Sequence, residues 1–325
     1  MDIDVSALRQ LEVDRGIKVD VMVGALEEAL LHAYLKVPGH APEARVTVDR
    51  KTGRVVVWVP ERDEEGEKIG ESDGTPSDFG RVAAATARQI IMSRIREAED
   101  EQKYGQLLAK EGDVVLGTVQ QDSESRSTVR VDLGSVEAIL PLTEQVPGET
   151  YTHGLKLRVY VFAVRKDLRG PQVVVSRTHA GLVEKLFRLE VPEIAEGVVE
   201  IKGVIREPGH RTKIAVRSKS PDVSAKGALI GPMGQRVRAV MNELNGEKID
   251  IIDWSEDPAE YIAQALSPAR VSSVTIVSPL ERKARVIVPD FQLSLAIGRD
   301  GQNVRLAHRL TGWNIDIRPD TAPGD

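Results

Sequence analysis

The sequence predicts a multidomain α+β protein: a mixed helix-and-strand N-terminal unit, a small all-β barrel, and one α-β-β-α-α-β domain present twice. Three observations predict it. The apolar period changes from three-to-four residues to two and back along the chain. Residues 111–177 read as strand alone. Two stretches near the C-terminus, IGPMGQRVRA and IGRDGQNVRL, share six of ten residues at a constant offset of 67, which is the mark of a duplicated domain.

The elements follow in order. Val5, Leu8 and Leu11 give residues 4–15 one apolar helical face, and Gly16 ends it. Residues 18–36 form a stronger helix whose stripe is Val19, Met22, Val23, Leu26, Ala29, Leu30 and Ala33, stopped by Pro38 and Gly39. ARVTVDRKTGRVVVWVP reads as a hairpin with its turn at Arg50–Gly53. An acidic loop is expected from Glu61 to Ser77. A long helix then runs from Asp78 to about Tyr104, with Val82, Ala85, Ala87, Ile90, Ile91 and Ile95 on one side.

VVLGTVQQ, STVRVDLG, VEAILPL, LKLRVYVFAV and PQVVVSR are five short strands divided by turn residues. Five strands fit a closed barrel of the OB type, whereas an immunoglobulin-like sandwich needs about seven. Two passes of α-β-β-α-α-β follow. The first has a helix at 180–189, strands GVVEIKGVIR and TKIAVRS, helices near 223–230 and 235–244, and strand KIDIID. The second has a helix at 258–266, strands VSSVTIVS and ARVIVP, helices LSLAI and 302–310, and strand NIDIRP. We therefore place domains at 1–105, 106–184, 185–256 and 257–319, with a disordered tail at 320–325.

Composition narrows the function. With 41% hydrophobic but only 4% aromatic residues, the cores must rest on aliphatic side chains. The absence of cysteine excludes disulfides, thiolate metal sites and Cys nucleophiles. No apolar run approaches the roughly 20 residues of a membrane span, and Asp2 and Asp4 stand where a signal peptide carries positive charge. We expect a monomeric cytoplasmic protein with no membrane attachment, cofactor or metal. The net charge of −6 is carried by residues 1–105, while 106–184 is at −1 and 185–325 at +1. Any nucleic-acid site must then be local and geometric rather than a broad basic face. His32, His40, His153, His179, His210 and His308 are scattered, and no P-loop or GxGxxG is present. Catalysis is not expected.

The repeat carries the chemistry. Gly231-Pro232-Met233-Gly234 and Gly298-Arg299-Asp300-Gly301 each sit between two helices. Such a pattern is common by chance in a chain with 27 glycines, so its weight comes from the matched surroundings. The bland reading is a helical hairpin that uses glycine only for close packing. The functional reading is that a phosphate backbone approaches a main chain stripped of side chains. Gln235 and Gln302 open the following helices, whose free N–H groups favour an anion, and Arg236, Arg238 and Arg305 lie in their first turns. KH domains hold about four nucleotides of single-stranded nucleic acid this way, and both copies resemble the bacterial, type II KH order. Asp300 opposes a phosphate unless it points away, and Arg299 stands beside it to compensate.

QLSLAIGRDGQNVRLAHRLTGWNIDI, residues 292–317, resembles the second KH domain of the NusA family of bacterial transcription factors. DFGRVAAATARQIIMSRIREAE (78–99) resembles the long helix of that family's N-terminal domain. VRVDLGSVEAILPLTEQVPGETY (129–151) resembles its S1-type OB barrel. The family order of N-terminal domain, S1 barrel and two KH domains covers essentially the whole chain. The resemblance implies modulation of pausing, termination and antitermination. It implies that residues 1–105 dock on RNA polymerase near the flap and RNA exit channel, with the acidic loop as one contact surface. It implies that the S1 and KH domains bind nascent single-stranded RNA, ribosomal RNA leader antitermination sites included, with other Nus factors as partners. Its RNA-binding role is carried to Gly231, Pro232, Met233, Gly234, Gln235, Arg236 and Arg238. In the second copy it is carried to Gly298, Arg299, Asp300, Gly301, Gln302, Asn303 and Arg305. The barrel run 127–132 offers Thr128 and Arg130 but no ring for base stacking, so its own binding is expected to be modest or orienting. Acidic C-terminal repeats, which contact the polymerase α subunit in some family members, do not occur in this sequence, so that contact is not expected. The alternative is a generic single-stranded RNA-binding or ribosome-associated protein without a polymerase partner.

Overall fold

The computed structural model describes residues 3–64, 66–77, 79–120, 128–167 and 170–321. Glu65 of the acidic loop, Ser127 of the barrel run and residues 322–325 of the expected tail lie outside them. The chain divides into two compact units, one from the N-terminus to Gln106, the other from Leu107 to the C-terminus apart from Lys166–Pro171.

In the first unit, α1 (Val5–Arg15) starts where the Asp4 carboxylate accepts the N–H groups of Ser6 and Ala7, and stops at Gly16, whose φ is 69°. The Ser6 hydroxyl and these amides hold the Asp4 carboxyl below its ordinary range. Helix α2 (Val19–Tyr34) buries Met22, Val23, Leu26, Leu30 and Tyr34. These pack against the sheet of β1 (Arg45–Val48), β2 (Val55–Arg62) and β3 (Lys68–Asp73), in that order. Strand β3 corrects the expected loop of 61–77. Its sequence KIGESD lacks apolar alternation, because it is an edge strand held by main-chain pairing to β2 and by Glu71, which binds Arg45 and Lys68. Helix α3 (Phe79–Leu108) places Phe79, Ala83 and Ala87 in the core, with Ile90 and Ile91 against it. Ala85 is exposed, and the stripe passes through Ala83 instead. A spacing of four from Phe79 decides that phase.

The second unit begins with the barrel: β4 (Val114–Gln120), β5 (Thr128–Asp132), β6 (Glu137–Pro141), β7 (Lys156–Asp167) and β8 (Gly170–Ser176), closed in the order β4-β5-β6-β8-β7. Val119, Val131, Ala138, Leu140, Val159 and Val161 fill it. A side chain at Gly117 would lie 2.3 Å from Val131 Cγ1, so closure needs glycine there.

The first α-β-β-α-α-β pass comprises α4 (Ala180–Glu190), a one-turn α5 (Pro192–Ala195), β9 (Val199–Glu207), β10 (Arg211–Ser218), α6 (Ala225–Ile230), α7 (Gln235–Glu243) and β11 (Lys248–Asp253). The α-helix α5 is additional to the expected order, as are single 3-10 turns at Pro232–Gly234, Asp290–Gln292 and Arg299–Gly301; segments of three or four residues are too short to show a period. The second pass comprises α8 (Pro258–Ala265), β12 (Ser273–Ser278), β13 (Lys283–Val288), α9 (Leu293–Ile297), α10 (Gln302–Thr311) and β14 (Asn314–Pro319). In each sheet the middle strand runs antiparallel to the strand before it and parallel to the Ile-Asp-Ile strand. The register explains that tripeptide. Ile251 and Ile315 are buried, while Asp250 sits opposite Lys213 at 3.0 Å and Asp316 opposite Arg285 at 3.8 Å.

Barrel and first repeat copy share a buried ionic seam. Arg177, 2% exposed, pairs with Glu149 and donates to the carbonyls of Arg158 and Glu243, both at 2.9 Å. Arg206 pairs with Glu247 at 2.8 Å and donates to the carbonyl of Arg177 at 2.7 Å. Glu247 also accepts from the Gly209 N–H and the Thr212 hydroxyl. Among the described residues no buried side-chain nitrogen or oxygen of this seam is without a hydrogen-bond partner, which is the condition under which buried charge is tolerated. Removing one member leaves a buried charge alone. Glu247→Ala should destabilise the second unit by roughly 3–5 kcal/mol in urea unfolding, and Arg206→Met with Glu247→Leu should recover most of it.

Candidate nucleic-acid interface

The two glycine loops have the same backbone. Gly231 and Gly298 have φ of 70° and 78°, Met233 and Asp300 of 52° and 51°, and Gly234 and Gly301 of 74° and 72°. Three of four residues in each loop are left-handed, so the chain reverses between two helices with no further linker. This accounts for Asp300 independently of any ligand. Asp is among the few side chains that tolerate a positive φ. It lies on the surface with its side chain 90% exposed, 3.7 Å from Arg299 Nε.

The glycines differ in what they face. A Cβ at Gly231 would sit 2.6 Å from Arg236 Cγ, and one at Gly298 2.7 Å from the Asn303 amide nitrogen. One at Gly301 would meet nothing within 4 Å, and one at Gly234 only Arg238, at 3.4 Å. The first glycine of each loop is thus required by packing as well as by φ, and the second faces open space.

Arg236 and Asn303 occupy the same repeat position and do the same work. Arg236 donates to the Ala228 carbonyl at 2.7 Å and pairs with Glu193 of α5 at 2.9 Å. Asn303, 2% exposed, donates to the carbonyls of Ala296 at 3.0 Å and Leu295 at 3.3 Å, and to Leu266 at 2.9 Å. Both satisfy carbonyls left open at the end of the short helix before the loop. Of the residues expected from the motif to face RNA, Asn303 is buried and Arg236 is engaged in bracing the loop, so neither is turned outward in this structure.

The outward donors are the next pair. Arg238 donates to the Met233 carbonyl and Arg305 to the Asp300 carbonyl at 3.2 Å, again equivalent positions. Neither α7 nor α10 carries a side-chain N-cap, so the N–H groups at their starts, beside Gln235 and Gln302, have no side-chain acceptor. Pro232, Met233, Gln235 and Arg299 are exposed, Met233 at 92%. Arg130 lies elsewhere, on β5, in an ion pair with Glu137 at 3.4 Å.

The second loop also lines a cleft of about 710 Å³ shared with the first copy. Glu207, His210, Arg211 and Lys248 form the facing wall. None was singled out from sequence. They lie at strand ends nearly a whole domain away, and no local pattern marks them. Among the described residues no helix is long and apolar enough to cross a membrane, and no group of three or more His, Cys, Asp or Glu side chains is placed to hold a metal ion.

Comparison with known proteins finds one family along the chain. Residues 177–254 match the NusA-like first KH domain, 258–323 the NusA-like second KH domain, and 5–62 with 59–101 the NusA N-terminal domain. The transcription termination/antitermination protein NusA of Mycobacterium tuberculosis is 56% identical over 329 residues, covering 99% of this chain and 95% of that protein. The protein of the same name from Bacillus subtilis is 45% identical, covering 97% and 90%. That from Thermus thermophilus is 43% identical, covering 96% and 88%.

The loops make a stability prediction. Gly298→Ala combines a left-handed φ with a collision against backbone and should cost about 2 kcal/mol or more. Gly301→Asn, in open space and of a type that accepts positive φ, should cost under about 1 kcal/mol. Chemical denaturation of the two variants checks the order.

Proposed function

The chain belongs to the NusA family of transcription termination/antitermination proteins, and on that premise we propose that it holds nascent single-stranded RNA on its barrel and KH domains while residues 1–105 bind RNA polymerase near the flap and RNA exit channel. The family is one of transcription factors rather than enzymes.

The observation that carries the RNA reading is the pair of superposable loops. Each presents a glycine facing open space, a helix start without a side-chain cap, and an outward arginine, Arg238 or Arg305. A phosphodiester can approach main chain and cation directly at the first loop, and at the second where Arg305 gives up its pairing with Glu207. The ionic seam at Arg177 and Arg206 adds preorganisation: an RNA lying across barrel and first KH domain does not have to order them. Polymerase contact, the identity of the RNA as ribosomal leader and the involvement of other Nus factors are parts of the same proposal, supported by the family alone. The acidity of residues 1–105 suits them to a basic protein surface rather than to RNA.

Replacing Gly231 and Gly234 by Asp should weaken RNA binding at least tenfold in a filter-binding or anisotropy titration, since side chains and charge would block the phosphate. Unchanged affinity in a folded variant would sink the reading. The affinity should also fall with salt, with a log–log slope of roughly −0.7 for each phosphate neutralised. Full-length chain should co-elute with core RNA polymerase in gel filtration. Separate elution, with RNA binding intact, would favour an RNA-binding protein with no polymerase partner.

A further inference from the structure

The two KH copies are built alike at their loops but differ in what holds the outward donors. In the first copy, Gln235 is exposed and Arg238 touches only its own loop carbonyl; among the described residues neither meets a carboxylate. In the second, both equivalent donors are taken by one carboxylate from the first copy. Gln302 Nε2 donates to Glu207 Oε2 at 2.8 Å, and Arg305 Nε donates to Glu207 Oε1 at 2.8 Å. Glu207 ends β9, and its side chain is only 18% exposed. It forms part of the wall of the cleft beside the second loop.

Resting on the RNA-binding reading above, we propose that Glu207 makes the two copies unequal: its carboxylate occupies the donors of the second loop as a phosphate would, so the first copy is the primary RNA phosphate seat and the second opens only when RNA displaces Glu207. A carboxylate and a phosphodiester are both anions that accept from a guanidinium and an amide in the same way. They cannot share Gln302 and Arg305 without repulsion. The neighbouring surface gives the displacing RNA somewhere to lie, since His210 and Lys248 border the same cleft, beside Arg211, which is paired with Asp250. Asp300 is the lesser part of the asymmetry. Its side chain is exposed and lies beside Arg299, and its charge acts on Arg305 more weakly than the hydrogen-bonded Glu207 does, while Arg305 donates to the Asp300 carbonyl.

The test is a double-mutant cycle on the full-length chain with a single-stranded RNA of about 12 nucleotides, long enough for both loops at about four nucleotides each. Glu207→Gln keeps the size and removes the charge. It should raise affinity about fivefold, the worth of one partly exposed ion pair. It should also steepen the log–log salt slope by about 0.7, one more phosphate contact. The gain should vanish when Arg305→Ala is added. An unchanged or lowered affinity in Glu207→Gln, or a gain that survives Arg305→Ala, overturns the proposal. The lowered case would mean that Glu207 only positions the second copy. Should Glu207→Gln fail to fold, Glu207→Asp, which retracts the carboxylate from Arg305, carries the same expectations. The Gly231→Asp, Gly234→Asp variant is run alongside. If it binds RNA as the wild type does, the RNA-binding reading itself has failed; if it loses binding while the Glu207 variants change nothing, only the present proposal has.

Discussion

A chain that reverses between two helices without a linker must place several residues in the left-handed region. In each KH copy three of the four loop residues are there, with φ between 51° and 78°. That conformation disfavours side chains, so it favours glycine, and the third position bears the strain on Met233 in one copy and on the more tolerant Asp300 in the other. It also leaves the preceding helix with unsatisfied carbonyls and the following helix with uncapped N–H groups. The rest of the site answers these two demands. Arg236 and Asn303 reach back to the carbonyls, while the Gln235 and Gln302 N–H groups close onto the carbonyls of Pro232 and Arg299, with no side chain capping either helix.

The braces differ in chemistry because the space behind them differs. Arg236 is long, partly exposed and anchored by Glu193 on the one-turn helix α5. Asn303 is short, buried, and packed against the end of α8 through the Leu266 carbonyl. One repeat position therefore tolerates a cation in one copy and a neutral amide in the other, as long as a donor reaches the helix end. A substitution table would call the two unrelated, whereas the hydrogen bonds show one function.

Rigidity beyond the loops comes from charge placed where water is excluded. Arg177 and Arg206 tie the barrel to the first KH copy, and fully buried Lys213 pairs with Asp250 while donating to the Ser267 carbonyl at 2.7 Å. Desolvation pushes the Lys213 ammonium below its ordinary range, against the pull of Asp250. Such groups are specific rather than simply stabilising, because only one arrangement satisfies them all. For an RNA that touches several domains, this orders the surface before binding.

The sequence by itself determined the fold class, the barrel, the duplication and the loops, because all of these are written in short-range period and repeated spacing. Val119, Val131 and Leu140 alternate because strands do, and Gly231 and Gly298 recur because the left-handed turn admits little else. Strand β3 escaped notice because its stability lies in pairing with β2 and in the Glu71 contacts, not in its own residues. Only the tertiary structure decided which polar residues of the site are free. Asn303 and Arg236 read as RNA ligands from their place in the motif, yet their directions are set by helix ends they must cap. Glu207, 95 residues before Gln302, has no local mark at all. It reaches the second loop because two domains pack in one register, and a packing register between domains is not a periodicity that a sequence displays.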